Sequence, residues 1–305
     1  MHAPLRVIIN ADDFGYCHDS VEATIDCFKH GAASSATIMA FRPGTEAAAA
    51  FARAHPQFSF GVHLAYCGDG VSEPSLTSEP SRNRRANAPK RDGRAGAQSS
   101  SAAIGGRDPR VELAALVDQR GGLCSSNALR IRALLYRLNV ADLCRSTRAQ
   151  IERVRDLGVP VSHVDSHGHL HKYGPFRRAL ARVLPRFGIK RVRTVQNVYL
   201  THHWHSLTWW FGQAWAGAIN RAFITTEYLF LPSSAGERRW IQPLLDRVRH
   251  GTLEVGLHPG RAQSWRRQEL TDAHALAETL HHRGIPLVNW TQVQRPGPRA
   301  GAKHG

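Results

Sequence analysis

Four short apolar runs in this chain each end on a carboxylate or an imidazole, and that repeated ending limits the fold more than any other feature. Arg6 to Ala11 leads into Asp12-Asp13-Phe14-Gly15, and Phe58 to Val62 leads into His63. Val159 to Val164 leads into Asp165-Ser166-His167-Gly168-His169-Leu170-His171, and Leu253 to Leu257 leads into His258-Pro259-Gly260. Apolar runs of this length, bounded by glycine and polar residues, read as β-strands. Barrel-like α/β enzymes assemble their chemistry from side chains gathered at the carboxyl ends of successive strands.

The spacing between the runs supports a parallel arrangement. Helical patterns over 20–29 and 44–54 separate strands expected at 6–11, 35–40 and 58–63. Parallel neighbours need crossover helices, so this alternation predicts a parallel sheet or barrel. Further helices are expected over 110–117, 139–157, 175–187 and 271–282, with strands at 191–195, 252–258 and 286–288. The whole is read as one catalytic domain over 1–294. Residues 75–106 interrupt the rhythm as a low-complexity insertion, with Leu76 and Ile104 as the only large apolar residues. So little apolar surface cannot offset the entropy of ordering, and disorder is expected there and in the 295–305 tail.

The net charge of +16 invites a nucleic-acid reading, but its distribution argues against one. Eight basic residues face three acidic ones between 75 and 110, and Arg295, Arg299 and Lys303 follow in the tail. Half of the excess therefore lies in segments expected to be unfolded. A solvated basic loop is the plain reading, a phosphate-binding or anionic-membrane arm the alternative, and no nucleic-acid partner is expected. Cys17, Cys27, Cys67, Cys124 and Cys144 are odd in number and form no C-x-x-C pair, which suits free thiols in a reducing compartment. No run reaches roughly 18 apolar residues, and a cytoplasmic enzyme is expected. All seven tryptophans lie between Trp204 and Trp290. Trp204, Trp209, Trp210 and Trp215, with Phe211, read as a helix packed on the fold. The alternative is an amphipathic surface for a sugar, a lipid-linked substrate or a membrane interface. Peripheral membrane contact and a homodimer both stay open.

Adjacent carboxylates at a strand end point in different directions, so one of Asp12 and Asp13 can ligate a metal while the other serves as general base. An N-cap pair opening the next helix is the competing reading. In extended geometry His167, His169 and His171 share a face with Asp165, which suits metal or substrate contact. His163 lies within its strand and reads as a packing residue. His63 and His258 gain weight from their matching strand-end positions. One Asp and two His make a mixed oxygen–nitrogen site suited to a divalent ion. There is no phosphate-binding glycine loop, no G-x-G-x-x-G after a strand, no G-x-S-x-G elbow and no His-Glu-x-x-His.

Taken together, Ala11-Asp12-Asp13-Phe14-Gly15, Gly61-Val62-His63-Leu64, His163 through His171 and His258-Pro259-Gly260 resemble the YdjC-like carbohydrate deacetylases (the ChbG/HpnK group). The resemblance runs from about Arg6 to Trp290. It implies an irregular (β/α) barrel like that of polysaccharide deacetylases, and metal-dependent removal of an N-acetyl group from an amino sugar. It further implies Asp13, His63 and His167 as ligands of a divalent ion (Mg2+ or Zn2+), Asp12 as general base and His258 as general acid. The substrate implied is a chitin-type oligosaccharide or a glucosaminyl lipid such as a hopanoid. Arg193, His169 and His171 are expected to contact substrate, with orientation of Asp12 as the other role for Arg193. Ala65-Tyr66-Cys67-Gly68 departs from the family pattern at the border of the insertion. A metal-dependent phosphoesterase and a non-catalytic anion-binding protein are the rival readings.

Overall fold

The computed structural model describes residues 3–68, 116–118, 122–200, 207–232 and 239–295. The expected 75–106 insertion, most of the helix expected at 110–117, Trp204 and the tail beyond 295 lie outside the described residues.

Strand β1 (Arg6–Phe14) explains the centre of the fold, because every residue after Arg6 is buried. A strand buried on both faces belongs inside a parallel sheet, with helices covering each side. The described sheet has six strands, all parallel, in the order β4-β3-β2-β1-β6-β5. These are β2 (Ser35–Ile38), β3 (Ser59–Leu64), β4 (Val161–Ser166), β5 (Tyr228–Phe230) and β6 (Thr252–Leu257). The sheet curls. Beyond β4, parallel bridges join Val164 to Val192 and Arg191 to Ile224, and the backbone N–H of Val198 donates to Leu229 O within β5.

Helices α1 (His18–Lys29) and α2 (Thr45–Ala54) cover one side of the sheet. Phe14, Phe28, Phe51, Phe58 and Phe60 form the seam there, with Phe28 and Phe58 ring centroids 4.5 Å apart. The remaining helices are α3 (Ser126–Leu134), α4 (Val140–Asp156), α5 (Gly174–Val183), α6 (Leu207–Ala222), α7 (Ile241–Arg247) and α8 (Ser264–His282). Ser125 and Asn139 cap α3 and α4 by accepting from Ala128 N and Ala141 N.

Several elements differ from expectation. The expected 191–195 strand is reduced to the bridges at Arg191 and Val192, and the 286–288 strand to one bridge between Leu287 and Val7. Helix α8 starts at Ser264, seven residues before the expected 271, which brings Arg266 and Glu269 onto the helix. Helices α3 and α7 and strand β5 are additional. The 175–187 helix is α5 followed by a separate 3-10 turn, Leu184–Phe187, with Pro185 at the junction.

His163 is a packing residue in this structure. Its ring stacks on Trp290 at 4.7 Å, and burial pushes its pKa down to about 3, so it is neutral. Gly61 makes this close fit feasible, since a Cβ there would come within 2.6 Å of His163 O. Gly61→Ala is therefore expected to destabilise the protein by about 2 kcal/mol through overpacking between β3 and β4. Denaturant unfolding, compared with Gly31→Ala as a position without close neighbours but with a left-handed backbone, would separate packing from strain.

Candidate active site

The carboxyl ends of β1, β3, β4 and β6 bring Asp12, Asp13, His63, Asp165, His167 and His258 to one rim of the sheet. A register shift in the β1–β2 ladder between Ala11 and Phe14 marks a bulge at the two aspartates. Asp13 adopts a left-handed backbone, with φ of 58°. For a non-glycine residue that conformation costs on the order of 1–3 kcal/mol and marks a constrained position. The simple alternation expected for an extended pair is thereby lost, and both carboxylates turn into one cluster. Gly15 follows at φ 92°, where a Cβ would lie 3.1 Å from Thr45 Cα, so the chain leaves the strand tightly.

Asp13 lies between two imidazoles. Its Oδ1 is 3.3 Å from His63 Nε2 and 3.1 Å from His167 Nδ1, while Oδ2 accepts from Arg266 Nη2 at 2.7 Å. His63 Nδ1 bonds to Asp165 Oδ1 at 2.8 Å. The proton assigned to that nitrogen leaves a lone pair on Nε2 in the neutral ring. Nε2 is buried without a hydrogen-bond partner, facing a carboxylate oxygen. Two lone pairs directed at one point call for a positive charge between them, either a proton or a metal ion. Burial opposes a charged His63, but Asp165, Asp13 and Asp12 outweigh it and raise its pKa. Burial likewise opposes ionisation of Asp13, whereas His167, His258 and His63 hold it well below the ordinary carboxylate range. One ligand atom from each of Asp13, His63 and His167 lies within 4.8 Å of the others. This donor set fits a divalent ion with open coordination positions.

Arg193 organises the floor of the site. Its guanidinium is fully buried and meets three carboxylates. Nη2 donates to Asp12 Oδ1 at 2.7 Å, Nη1 to Asp165 Oδ2 at 2.7 Å, and Nε to Glu254 Oε1 at 2.9 Å. Burial works against a charged Asp12, and Arg193, His258 and His63 override it, so Asp12 stays ionised well below its ordinary range. Burial, with Asp12 and Asp165 beside it, raises Glu254 to about 7 despite Arg193. Of the two roles expected for Arg193, the geometry supports orientation of Asp12. Arg193 has no exposed surface with which to reach a substrate.

His258 faces Asp12 across the site, Nε2 to Oδ2 at 3.9 Å. Its Nδ1 is 3.1 Å from Glu269 Oε2, which also accepts from the His258 backbone N–H at 2.6 Å. Burial lowers the pKa of this imidazole, but the Glu269 hydrogen bond and charge, with Asp13 and Asp12, raise it to about 9. Trp265 stands beside it, 40% exposed, with ring centroids 5.7 Å apart.

The histidine run does not form the extended face expected from sequence. His167–Lys172 is a 3-10 turn in which Gly168 and His169 are left-handed, so the alternate residues do not share a face. His167 reaches Asp13, whereas His171 is buried with Nδ1 on Ser166 Oγ at 2.7 Å. His169 lies beside His171, ring centroids 6.3 Å apart, and burial lowers its pKa. No motif marks Glu269 or Arg266, and Glu254 reads from sequence only as part of the Leu253–Leu257 strand run. Asp165 lay inside a motif, but its orienting contact with His63 depends on the β3–β4 register.

Carboxylates and imidazoles clustered at the carboxyl rim of a curled parallel sheet define a hydrolase-type α/β site. The chain belongs to the YdjC-like protein family, which matches residues 6–284. It is 26% identical over 96% of its length to a carbohydrate deacetylase of Geobacillus stearothermophilus, 99% of which is covered. It is also 29% identical to a chitooligosaccharide deacetylase of Yersinia enterocolitica, over 54% of this chain and 50% of that protein. A crystal structure of an Enterococcus faecalis V583 protein with a suggested role in cellobiose-phosphate cleavage shares the fold. It has a TM-score of 0.65 and 20% identity, covering 94% of this chain and 98% of that one.

Removing Arg193 would strand three buried carboxylates. Arg193→Met is expected to lower stability by about 3–5 kcal/mol at neutral pH, the scale for breaking a buried pair. Because the stranded groups are acids, protonation should relieve the loss. Unfolding curves at pH 7 and pH 5 would show a smaller deficit at the lower pH.

Proposed function

We propose that this protein is a divalent-metal-dependent deacetylase that hydrolyses the N-acetyl group of an amino sugar. One observation carries the reading: Asp13, His63 and His167 converge on a point beside the Asp12–His258 pair. The names of the relatives in two bacterial genera agree with it. A chitin-type oligosaccharide or a glycolipid headgroup both present the required acetamide. The curled sheet with its irregular bridges corresponds to an incomplete (β/α) barrel, in one domain over 1–294.

The residues divide the chemistry between them. Asp13, His63 and His167 would hold a divalent ion, which when bound would supply Lewis acidity of the kind that brings the pKa of water to about 7 and polarises a carbonyl. Asp12, held by Arg193, accepts a proton as water attacks the acetamide carbon. His258 carries a proton at neutral pH because Glu269 holds it charged, and it delivers that proton to the departing nitrogen as the C–N bond breaks. The products are the free amine and acetate. Two titratable groups pushed in opposite directions, Asp12 down and His258 up, make the base and acid assignments. Trp265 offers a flat apolar face next to His258 on which a sugar ring can stack.

Asp13→Ala is expected to lose bound metal, measured by elemental analysis, and to lose acetate release from N-acetylglucosamine oligomers by a factor of about 1000 or more. Full activity in metal-replete Asp13→Ala protein would overturn the assignment. Glu269→Gln removes the strongest partner raising His258, so the basic limb of kcat/KM should move to lower pH while metal content stays unchanged. Trp265→Ala should raise KM several-fold with little change in kcat.

A further inference from the structure

Two helices beside the site carry large apolar side chains turned to solvent. On α3 and the residues just after it, Ile131 is 59%, Leu134 54%, Leu135 57% and Tyr136 67% exposed. On α6, Trp210 is 62% and Phe211 56% exposed. Both helices pack against the His167–Lys172 turn that carries His167. Arg130 Nη2 ties α3 to Gly168 O at 3.0 Å, and Trp215 of α6 packs on Tyr173 with centroids 4.9 Å apart. The apolar surfaces therefore belong to helices packed against the turn that carries His167.

Basic residues predominate along these segments, although the exposed Asp118 lies near the start of α3, where it and Arg132 are both charge neighbours of Cys124. No acidic residue occurs between 119 and 141, and Asp165, the only one between 157 and 226, is buried. Arg137 and Arg178 are exposed, and the Arg178 guanidinium lies 5.6 Å from the Tyr136 ring. Lys172 Nζ lies 5.4 Å from the Trp215 ring. Tyr136 holds a left-handed backbone, φ 52°, a constrained conformation at a largely exposed aromatic.

We propose that this apolar, predominantly basic face docks the protein on a bilayer containing anionic lipid, beside the turn that carries His167. Aliphatic and aromatic side chains enter the boundary between headgroups and acyl chains, and flanking cations meet the lipid phosphates. A second copy of the same face fits less well, because it would set arginine against arginine. A phosphate backbone gains nothing from Ile131, Leu134 or Leu135. The proposal does not rest on the deacetylase reading, and membrane binding is scored without substrate.

Flotation of the full chain with vesicles tests it. The protein should float with phosphatidylcholine vesicles containing about 30% phosphatidylglycerol and not with phosphatidylcholine alone, the dependence expected of anionic-lipid docking. The double variant Ile131→Glu, Leu135→Glu should partition about tenfold less, and Trp210→Ser, Phe211→Ser should weaken binding too. Amide exchange of the wild-type chain should slow in α3 and α6 when the anionic vesicles are added. No flotation at low salt, or undiminished flotation of the glutamate variant, would overturn the proposal. A dimer in solution that the glutamate variant dissociates would also overturn it, by identifying a second copy as the occupant. Acetate release from soluble N-acetylglucosamine oligomers, unchanged in both variants, tests the catalytic reading separately.

Discussion

Arg193 is the interaction around which the site is built. One guanidinium, with no exposed surface, reaches Asp12 from β1, Asp165 from β4 and Glu254 from β6. A charge in that position is tolerable only because it is paired on every side, and the carboxylates are tolerable only because it is there. The fork geometry of arginine lets one side chain serve three partners, which a lysine could not do. The same residue thereby fastens three strands of the sheet at the level of the candidate site. It also holds Asp12 ionised at a fixed angle.

From that anchor the two halves of the chemistry diverge. Asp165, braced by Arg193 and by Thr37 Oγ1 at 3.1 Å, accepts from His63 and turns its other nitrogen toward Asp13. The resulting confrontation of lone pairs calls for a positive charge between them, a proton or a metal ion. Opposite, Glu269 from α8 charges His258, and Arg266 of the same helix bonds Asp13. Helix α8 thus supports both His258 and Asp13 through residues three apart, which share one helical face.

The legible part of the site was its strand ends. Apolar runs closing on Asp12-Asp13, His63, His167 and His258 announce parallel strands because burial on both faces demands continuous hydrophobicity. The structure brings those five side chains to one rim. Where local backbone departs from the regular period, the sequence reading failed. Left-handed Gly168 and His169 convert an expected extended face into a 3-10 turn, leaving His171 on Ser166. The bulge at Asp13 brings together two carboxylates that alternation would have parted. Short edge strands, such as β5 with three residues, carry too little periodicity to be read.

Sequence alone determined the class of fold and which residues could do chemistry, because hydrophobic period and residue type are local properties of the chain. Tertiary structure alone decided what each of those residues does. Ionisation depends on neighbours that come from elsewhere in the chain: Arg193 lies 181 positions from Asp12, and Arg266 lies 253 from Asp13. Coulomb energy falls with distance in space, not along the chain. Only folding brings such charges within bonding reach.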